Sequence, residues 1–398
     1  MAVRDALASA KVMVVDRPLD PVLGVTEFIA DWIKRHKFYP TFQFNSVTGS
    51  PGFRLIMNLL KRDILLENMS VTAAGSLRTF AERLQTSGSV RAGQSLARHR
   101  LTSMFDLPVL QHQPRDKGRY LTSFVGCLKD PRDGAYNLGF YRALVTDAQQ
   151  IVLYVDPRTD AHRIVSAGLQ QDGGVPITLF NGGPLGCYLA AAAKLPDTID
   201  SFDAAARLQG RPLWVDRSNF PPAPVESEIV IRGVVSERHL AEAPFGEFKG
   251  YYCAPGSGPV VDVQQIHCRQ DPYYLGLFCG KESGLTLMSM QNEILLFAHL
   301  RKCGFEVGDV RYPLRSFGEF LALIETPSPS LELLDAAMAF DQRSKMFIVG
   351  EQLRDVAGEL AIFPFETSKA AYVKRGRPEG ERIGVVCRRS VAHQWVEY

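Results

Sequence analysis

A mixed α/β chain in three parts is the fold class this sequence predicts, on three observations. Strand and helix signals alternate through the first hundred residues. Short β-rich segments separated by Gly, Pro and Asp turns fill the middle, and helix–strand patterning returns near the end. The division this implies is an N-terminal α/β domain over 1–106, an antiparallel barrel or sandwich over 107–310 and a shortened C-terminal α/β domain over 311–398. A chain of 398 residues, 46% of them hydrophobic, has enough apolar material for a large core.

Lys11–Val15 is a β-branched run that reads as a strand and is followed by a Pro18/Pro21 turn. Val25–His36 carries Phe28, Ile29 and Trp32 at helical spacing. Thr41–Val47 reads as a second strand, Ser50-Pro51-Gly52 as a turn, and Leu55, Ile56, Leu59 and Leu60 as one face of a helix. Tyr120–Leu128, Tyr141–Thr146, Ile151–Val155, Glu228–Val235 and Pro259–His267 are strand-like, and Asp130-Pro-Arg-Asp-Gly134 is a hairpin-type turn. Val175–Phe180, the loop Asn181-Gly-Gly-Pro184 and a helix through Ala193 form a strand–loop–helix unit. Such a loop can hold an anion, and tight strand–helix packing explains its glycines equally well. Ser283–Lys302 and Leu331–Phe340 read as helices, Gly304–Ser316 as extended and Met346–Val349 as a strand. Beyond Tyr372 the chain is basic (Lys374, Arg375, Arg377) and weakly patterned.

Composition narrows the function. With 45 basic and 43 acidic residues dispersed along the chain, no basic block offers a nucleic-acid footprint. Seven cysteines include no CxxC pair, and His239, His267 and His299 lack metal-ligand spacing. The N-terminus lacks a secretory signal pattern and no stretch is long and apolar enough to span a bilayer, so a cytoplasmic protein is expected.

Two acids stand out. Glu242 and Glu247 lie in Ala241-Glu-Ala-Pro-Phe-Gly-Glu-Phe-Lys-Gly-Tyr-Tyr252, where Pro244 and Gly246 argue for a turn that brings both carboxylates to one site. Paired acids in unequal surroundings divide the work of proton donor and charged orienter. Arg142 ends Ala135-Tyr-Asn-Leu-Gly-Phe-Tyr-Arg142, where it can clamp a carboxylate or serve a structural ion pair.

These segments carry a resemblance. Asn137-Leu-Gly-Phe-Tyr-Arg142 resembles the N-x-x-x-Y-R stretch of UbiD-like decarboxylases, which include ferulate-type and polyprenyl-hydroxybenzoate decarboxylases. Ala243-Pro-Phe-Gly-Glu-Phe-Lys-Gly-Tyr-Tyr252 resembles their E-G-P-F-G-E-x-x-G-Y signature. Supporting blocks at Thr41–Leu60, Gly118–Ser123, Val175–Leu195, Ser227–Gly233 and Pro259–Pro272 follow in order, so the likeness covers about residues 10–280. It implies a central split β-barrel that binds prenylated FMN, and reversible, non-oxidative decarboxylation of an α,β-unsaturated or aromatic acid. In that scheme Arg142 holds the substrate carboxylate, Glu242 orients the arginine and Glu247 donates the proton. The resemblance further implies cofactor contacts at Ser123, Asn137, Phe140, Arg142 and His162. It implies a divalent metal (Mn or Mg, with K⁺ as an optional companion) on Asn137 and His162. A flavin prenyltransferase as cofactor supplier and a homodimer or larger homo-oligomer are implied too.

Departures from the pattern accompany it. The family's metal-binding Glu falls on Ser201, a poor ligand for a hard cation, with Asp200 and Asp203 beside it as substitutes. The acidic V-D-E-D-I-D block survives only as Ile348-Val-Gly-Glu-Gln-Leu-Arg-Asp355, and the C-terminal region that shapes pocket and subunit contacts is short. Two rivals follow: a non-catalytic subunit of a larger carboxylase assembly, and a split-barrel protein that binds unmodified FMN.

Overall fold

The structure, a computed structural model, describes residues 2–196, 199–253, 256–351 and 353, and the backbone of 365–374 and 377–387. Two compact units emerge, one of residues 1–73 and 83–287, the other of 74–82 and 288–398.

The chain opens with α1 (Val3–Ser9), β1 (Val12–Val15), α2 (Gly24–His36), β2 (Thr41–Phe44), β3 (Arg54–Met57), α3 (Arg62–Asn68), α4 (Ser76–Leu84), β4 (Val90–Gly93) and β5 (His99–Leu101), all in the first unit except α4, which belongs to the second as far as residue 82. α2 forms because its apolar residues recur on one stripe. Val25 and Ile29 are fully buried, and Phe28 meets Phe42 and Phe44 edge-on at 5.6 and 5.7 Å. The helix expected through Leu55–Leu60 is instead β3. Leu55, Ile56 and Met57 are buried between β2 on one side and Tyr273–Gly276 on the other, and the chain turns at Asn58, whose φ is 60°. A short apolar run buried on both sides has no period that separates strand from helix.

The chain then builds β6 (Tyr120–Leu121), β7 (Val125–Lys129), β8 (Tyr136–Phe140), β9 (Ala143–Asp147), β10 (Gln150–Leu153), α5 (Asp160–Asp172), β11 (Gly174–Asn181), α6 (Leu185–Ala192), α7 (Ser201–Gln209), β12 (Leu213–Asp216), β13 (Ile229–Ala241), β14 (Ser257–Cys268) and β15 (Tyr273–Gly276). Nine strands form one antiparallel sheet in the order β6-β9-β10-β14-β13-β11-β7-β8, with β5 on β14; this is the split barrel. Its core includes Leu121, Leu128, Ile151, Ile177, Leu179, Ile231 and Val261, continuous with Ala161, Ile164 and Val165 of α5. β4 and β12 make a separate parallel pair. β15 returns to the N-terminal layer, giving the four-stranded order β1-β2-β3-β15, so the expected boundary at residue 106 falls inside this unit.

Two buried polar groups join these layers. The Asn181 amide pairs with the backbone of Leu275 (2.8 and 2.9 Å) as an extra rung would, and donates to Ser123 Oγ at 3.0 Å. Glu228, fully buried, takes a two-pronged hydrogen bond from Arg4 of α1 at 2.7 and 2.9 Å and a third from the Tyr273 amide at 3.2 Å.

α8 (Glu282–Lys302) runs into the second unit, which holds β16 (Asp309–Arg311), β17 (Leu321–Glu325), α9 (Leu331–Phe340), β18 (Met346–Gly350), β19 (Phe365–Lys374) and β20 (Arg377–Cys387). Its sheet runs β16-β17-β18-β20-β19, parallel at its centre and antiparallel at both ends. The segment around Tyr372, weakly patterned in sequence, is this long β19–β20 hairpin; Arg375 and Asp355 lie outside the described residues. Among the described residues no helix is long and apolar enough to cross a membrane.

Candidate active site

Strand ends position the site. The connection between the long paired strands β13 and β14 carries both expected acids. Arg142 sits in the short link between β8 and β9. Its carbonyl accepts from the Tyr154 amide at 2.9 Å, continuing the β9–β10 pairing.

Arg142, Glu242 and Glu247 come together as the sequence predicts. Glu242 takes Arg142 Nε at 3.1 Å and Nη2 at 2.8 Å, a fork-on-fork pair that fixes the guanidinium plane. Nη1 donates to Glu247, and Nη2 also reaches Cys253 Sγ at 3.3 Å. Two rings lie against the guanidinium, Tyr154 at 4.0 Å and Phe245 at 5.0 Å. Exposure divides the acids, since the Glu242 side chain is 2% exposed and that of Glu247 23%. Burial works against the arginine's charge, but the hydrogen bonds and charge of Glu242, with that of Glu247, outweigh it and hold Arg142 above its ordinary value.

The remaining expected site residues are dispersed. Asn137 and Phe140 are half-buried on β8, the strand that runs into Arg142, and Asn137 Oδ1 accepts from the Tyr141 hydroxyl at 2.9 Å. Ser123 is fully buried, its hydroxyl occupied by Asn181. His162 is exposed in the first turn of α5, where Thr159 is the N-cap and is the local signal that marks this helix start. The Asn181–Pro184 loop is a packing site. The Gly182 amide donates to Tyr188 Oη at 2.7 Å, and a Cβ at Gly182 would lie 2.4 Å from Glu228 Cγ.

The residues around Ser201 do not assemble a site for a divalent ion. β8 is the last strand of its sheet, and its outward amides are satisfied by α7: Tyr136 N–H donates to Asp200 at 2.7 Å and Leu138 N–H to Ser201 Oγ at 3.1 Å. Asp200 also caps α7, and Asp203 is held by the Gly88 amide and Arg207. Among the described residues no three His, Cys, Asp or Glu side chains cluster in a way that would hold a metal. A flavin is a different matter. The half-buried Asn137 and Gly139 share one face of β8 beside Tyr141, with Arg142 just beyond the strand, and these groups are chemically compatible with a planar, partly polar ring system; Tyr136 and Phe140 share the other face and pack on Phe202 and Tyr188.

Several neighbours carry no motif of their own: Tyr154, Cys253, Tyr120, Cys279 and His112. Burial and then the charge of Glu247 push the Cys279 thiol up to about 12. His112, buried, keeps Nε2 3.3 Å from the Thr122 hydroxyl while Nδ1 has no hydrogen-bond partner among the described residues, and burial lowers its pKa from 6.5 to about 4. Between those values the unfolded chain binds a proton that the folded chain refuses. The contribution of His112 to stability is therefore full above about pH 6.5 and is lost as pH falls toward about 4, by on the order of 3 kcal/mol. His112→Gln is expected to flatten this acid limb in melting curves recorded from about pH 7 to about pH 4.5. An unchanged limb would place the acid sensitivity elsewhere.

Comparison with known proteins fits this geometry. Residues 85–282 match the family described as UbiD, 3-octaprenyl-4-hydroxybenzoate carboxy-lyase Rift-related domain. An uncharacterized protein of Aquifex aeolicus is 30% identical over 180 residues, 44% of this chain and 37% of that one. Anhydromevalonate phosphate decarboxylase of Methanocaldococcus jannaschii is 22% identical over 73% of this chain and 68% of its own length. The chain spans 37 to 60% of the length of the first curated relatives it matches. In fold it is similar to an evolved dimeric form of the UbiD-class enzyme HmfF from Pelotomaculum thermopropionicum in complex with prFMN, at TM-score 0.89 and 20% identity, covering 100% of this chain and 97% of that one. It is also similar to a 3,4-dihydroxybenzoic acid decarboxylase of Enterobacter cloacae, at TM-score 0.84 and 16% identity, covering 100% and 97%.

Proposed function

We propose that this chain, a member of the UbiD-like family through its matched domain, catalyses non-oxidative, reversible decarboxylation of an α,β-unsaturated or aromatic carboxylic acid with prenylated FMN. The observation that carries the reading is Arg142, forked onto Glu242, donating to Glu247 and flanked by two aromatic rings. Prenylated FMN, when bound, would supply the sink for the electron pair left by departing CO2. In this reading Arg142 and Asn137 would hold it.

The protein's own part follows from charge. Arg142 already faces two carboxylates, so an anionic substrate adds a third to one guanidinium. Glu247, the more exposed acid, is the one open to solvent, and in this reading it is the proton donor. The C–C bond breaks, CO2 leaves, and the proton from Glu247 takes its place, with Glu242 holding the guanidinium plane throughout. The balance is RCO2⁻ plus H⁺ to RH plus CO2, with no net oxidation.

The test is cofactor dependence. Protein co-produced with a flavin prenyltransferase is expected to release CO2 from such an acid, and protein made without it to be inactive. Full turnover with unmodified FMN, or none with either flavin, would overturn the reading.

A further inference from the structure

The segment His112–Tyr120 carries no catalytic group in the reading above, yet it grips the loop of Glu242 and Glu247 at successive points. Tyr120, fully buried, donates its hydroxyl to the carbonyl of Glu242 and lies 3.2 Å from that of Pro244. The Lys117 amide donates to the Pro244 carbonyl at 2.8 Å. Asp116, also buried, accepts the Gly246 amide on Oδ1 at 2.7 Å, and the Gln113 and His112 amides on Oδ2 at 2.8 and 3.2 Å. An ionised carboxylate is the side chain that serves three amide donors with no idle proton of its own. The contact is close: a Cβ on Gly246 would stand 2.7 Å from Gln113 Cγ.

Gly246 immediately precedes Glu247. The Glu247 carboxylate is the most exposed of the three charged groups, and its own amide bonds only within the loop, to the Tyr251 carbonyl at 2.9 Å. One residue before Glu247, the Gly246–Asp116 hydrogen bond ties the loop to the rest of the barrel unit through backbone. We infer that Asp116 is a positioning residue for Glu247, and that through the Gly246 amide it fixes where the proton-donating carboxyl stands relative to Arg142. The inference rests on Glu247 being the proton donor; the attachment itself does not.

The experiment has two arms. In purified protein without cofactor, hydrogen exchange read by mass spectrometry on peptides covering 243–252 is expected to quicken about tenfold in Asp116→Ala, with other segments unchanged. In the loaded enzyme kcat is expected to fall about 10- to 100-fold with KM within about twofold, since small misplacement of a reacting group costs that much. Asp116→Asn, which keeps an oxygen for Gly246 but turns an NH2 toward two amide donors, should lie between wild type and Asp116→Ala, and serves if the alanine variant fails to fold. Placed on Glu247→Gln, Asp116→Ala should add no further loss, because the group it positions no longer transfers a proton. Unchanged exchange in the loop, or an undiminished further loss on Glu247→Gln, overturns the inference. If the wild-type enzyme decarboxylates nothing, the decarboxylase reading fails, while the exchange arm still decides whether Asp116 holds the loop.

Discussion

Glutamine in place of Glu247 is expected to cut turnover by about 10²- to 10⁴-fold while flavin loading persists, the range general acids usually contribute. The substitution keeps the side chain's length and its ability to accept from Arg142 Nη1, so the guanidinium stays forked on Glu242. What is lost is the transferable proton. Rates should therefore fall in kcat, with substrate binding little weakened or even tightened, because one of the two carboxylates competing for Arg142 has become neutral. Single-turnover kinetics with flavin absorbance as the loading control make the measurement. Near-normal turnover would show that another group delivers the proton.

Removing the arginine has a larger and different effect. Arg142→Ala leaves Glu242 as a carboxylate 2% exposed with its two-pronged partner gone, and breaking a buried pair on one side costs about 3–5 kcal/mol. The variant is expected to lose both activity and that much stability in denaturant unfolding. Adding Glu242→Gln should restore much of the stability and none of the activity, because the stranded charge is then gone while the carboxylate clamp is still missing. If Arg142→Ala unfolds within about 1 kcal/mol of wild type, the pair does not carry the stability assigned to it.

The sequence makes the site legible where a segment is short, rich in Gly and Pro, and bounded by strands. Glu242 and Glu247 qualify, since Pro244 and Gly246 exclude a helix and a tight loop leaves two acids five residues apart few places to go. Tyr154, Cys253 and Cys279 reach Arg142 and Glu247 by tertiary folding from the end of β10, the acid loop and the segment after β15. Local pattern holds no trace of such convergence. The same division runs through the fold. β13 and β14 are visible as Glu228–Val235 and Pro259–His267, although both extend well beyond those limits. β3 reads as a helix because burial on both sides removes its period. α5 and α7 escape notice because their polar faces dilute the stripe, and the usable signals were their caps, Thr159 with Gly173 and Asp200 with Gly210. The metal expectation turned on one residue type, and Ser201 is occupied as the acceptor that closes the edge of β8.

The return of β15 to β3 sets an order of assembly. Residues 54–57 emerge from a ribosome early, but the strand that completes their sheet is residues 273–276, made only after the whole barrel. Until then β3 presents an unpaired edge of Leu55, Ile56 and Met57, the kind of surface that recruits strands from other chains. The N-terminal layer therefore cannot mature as an independent unit. Truncated products ending before Tyr273 should be the aggregation-prone ones, and seating β15 is the step that closes this edge.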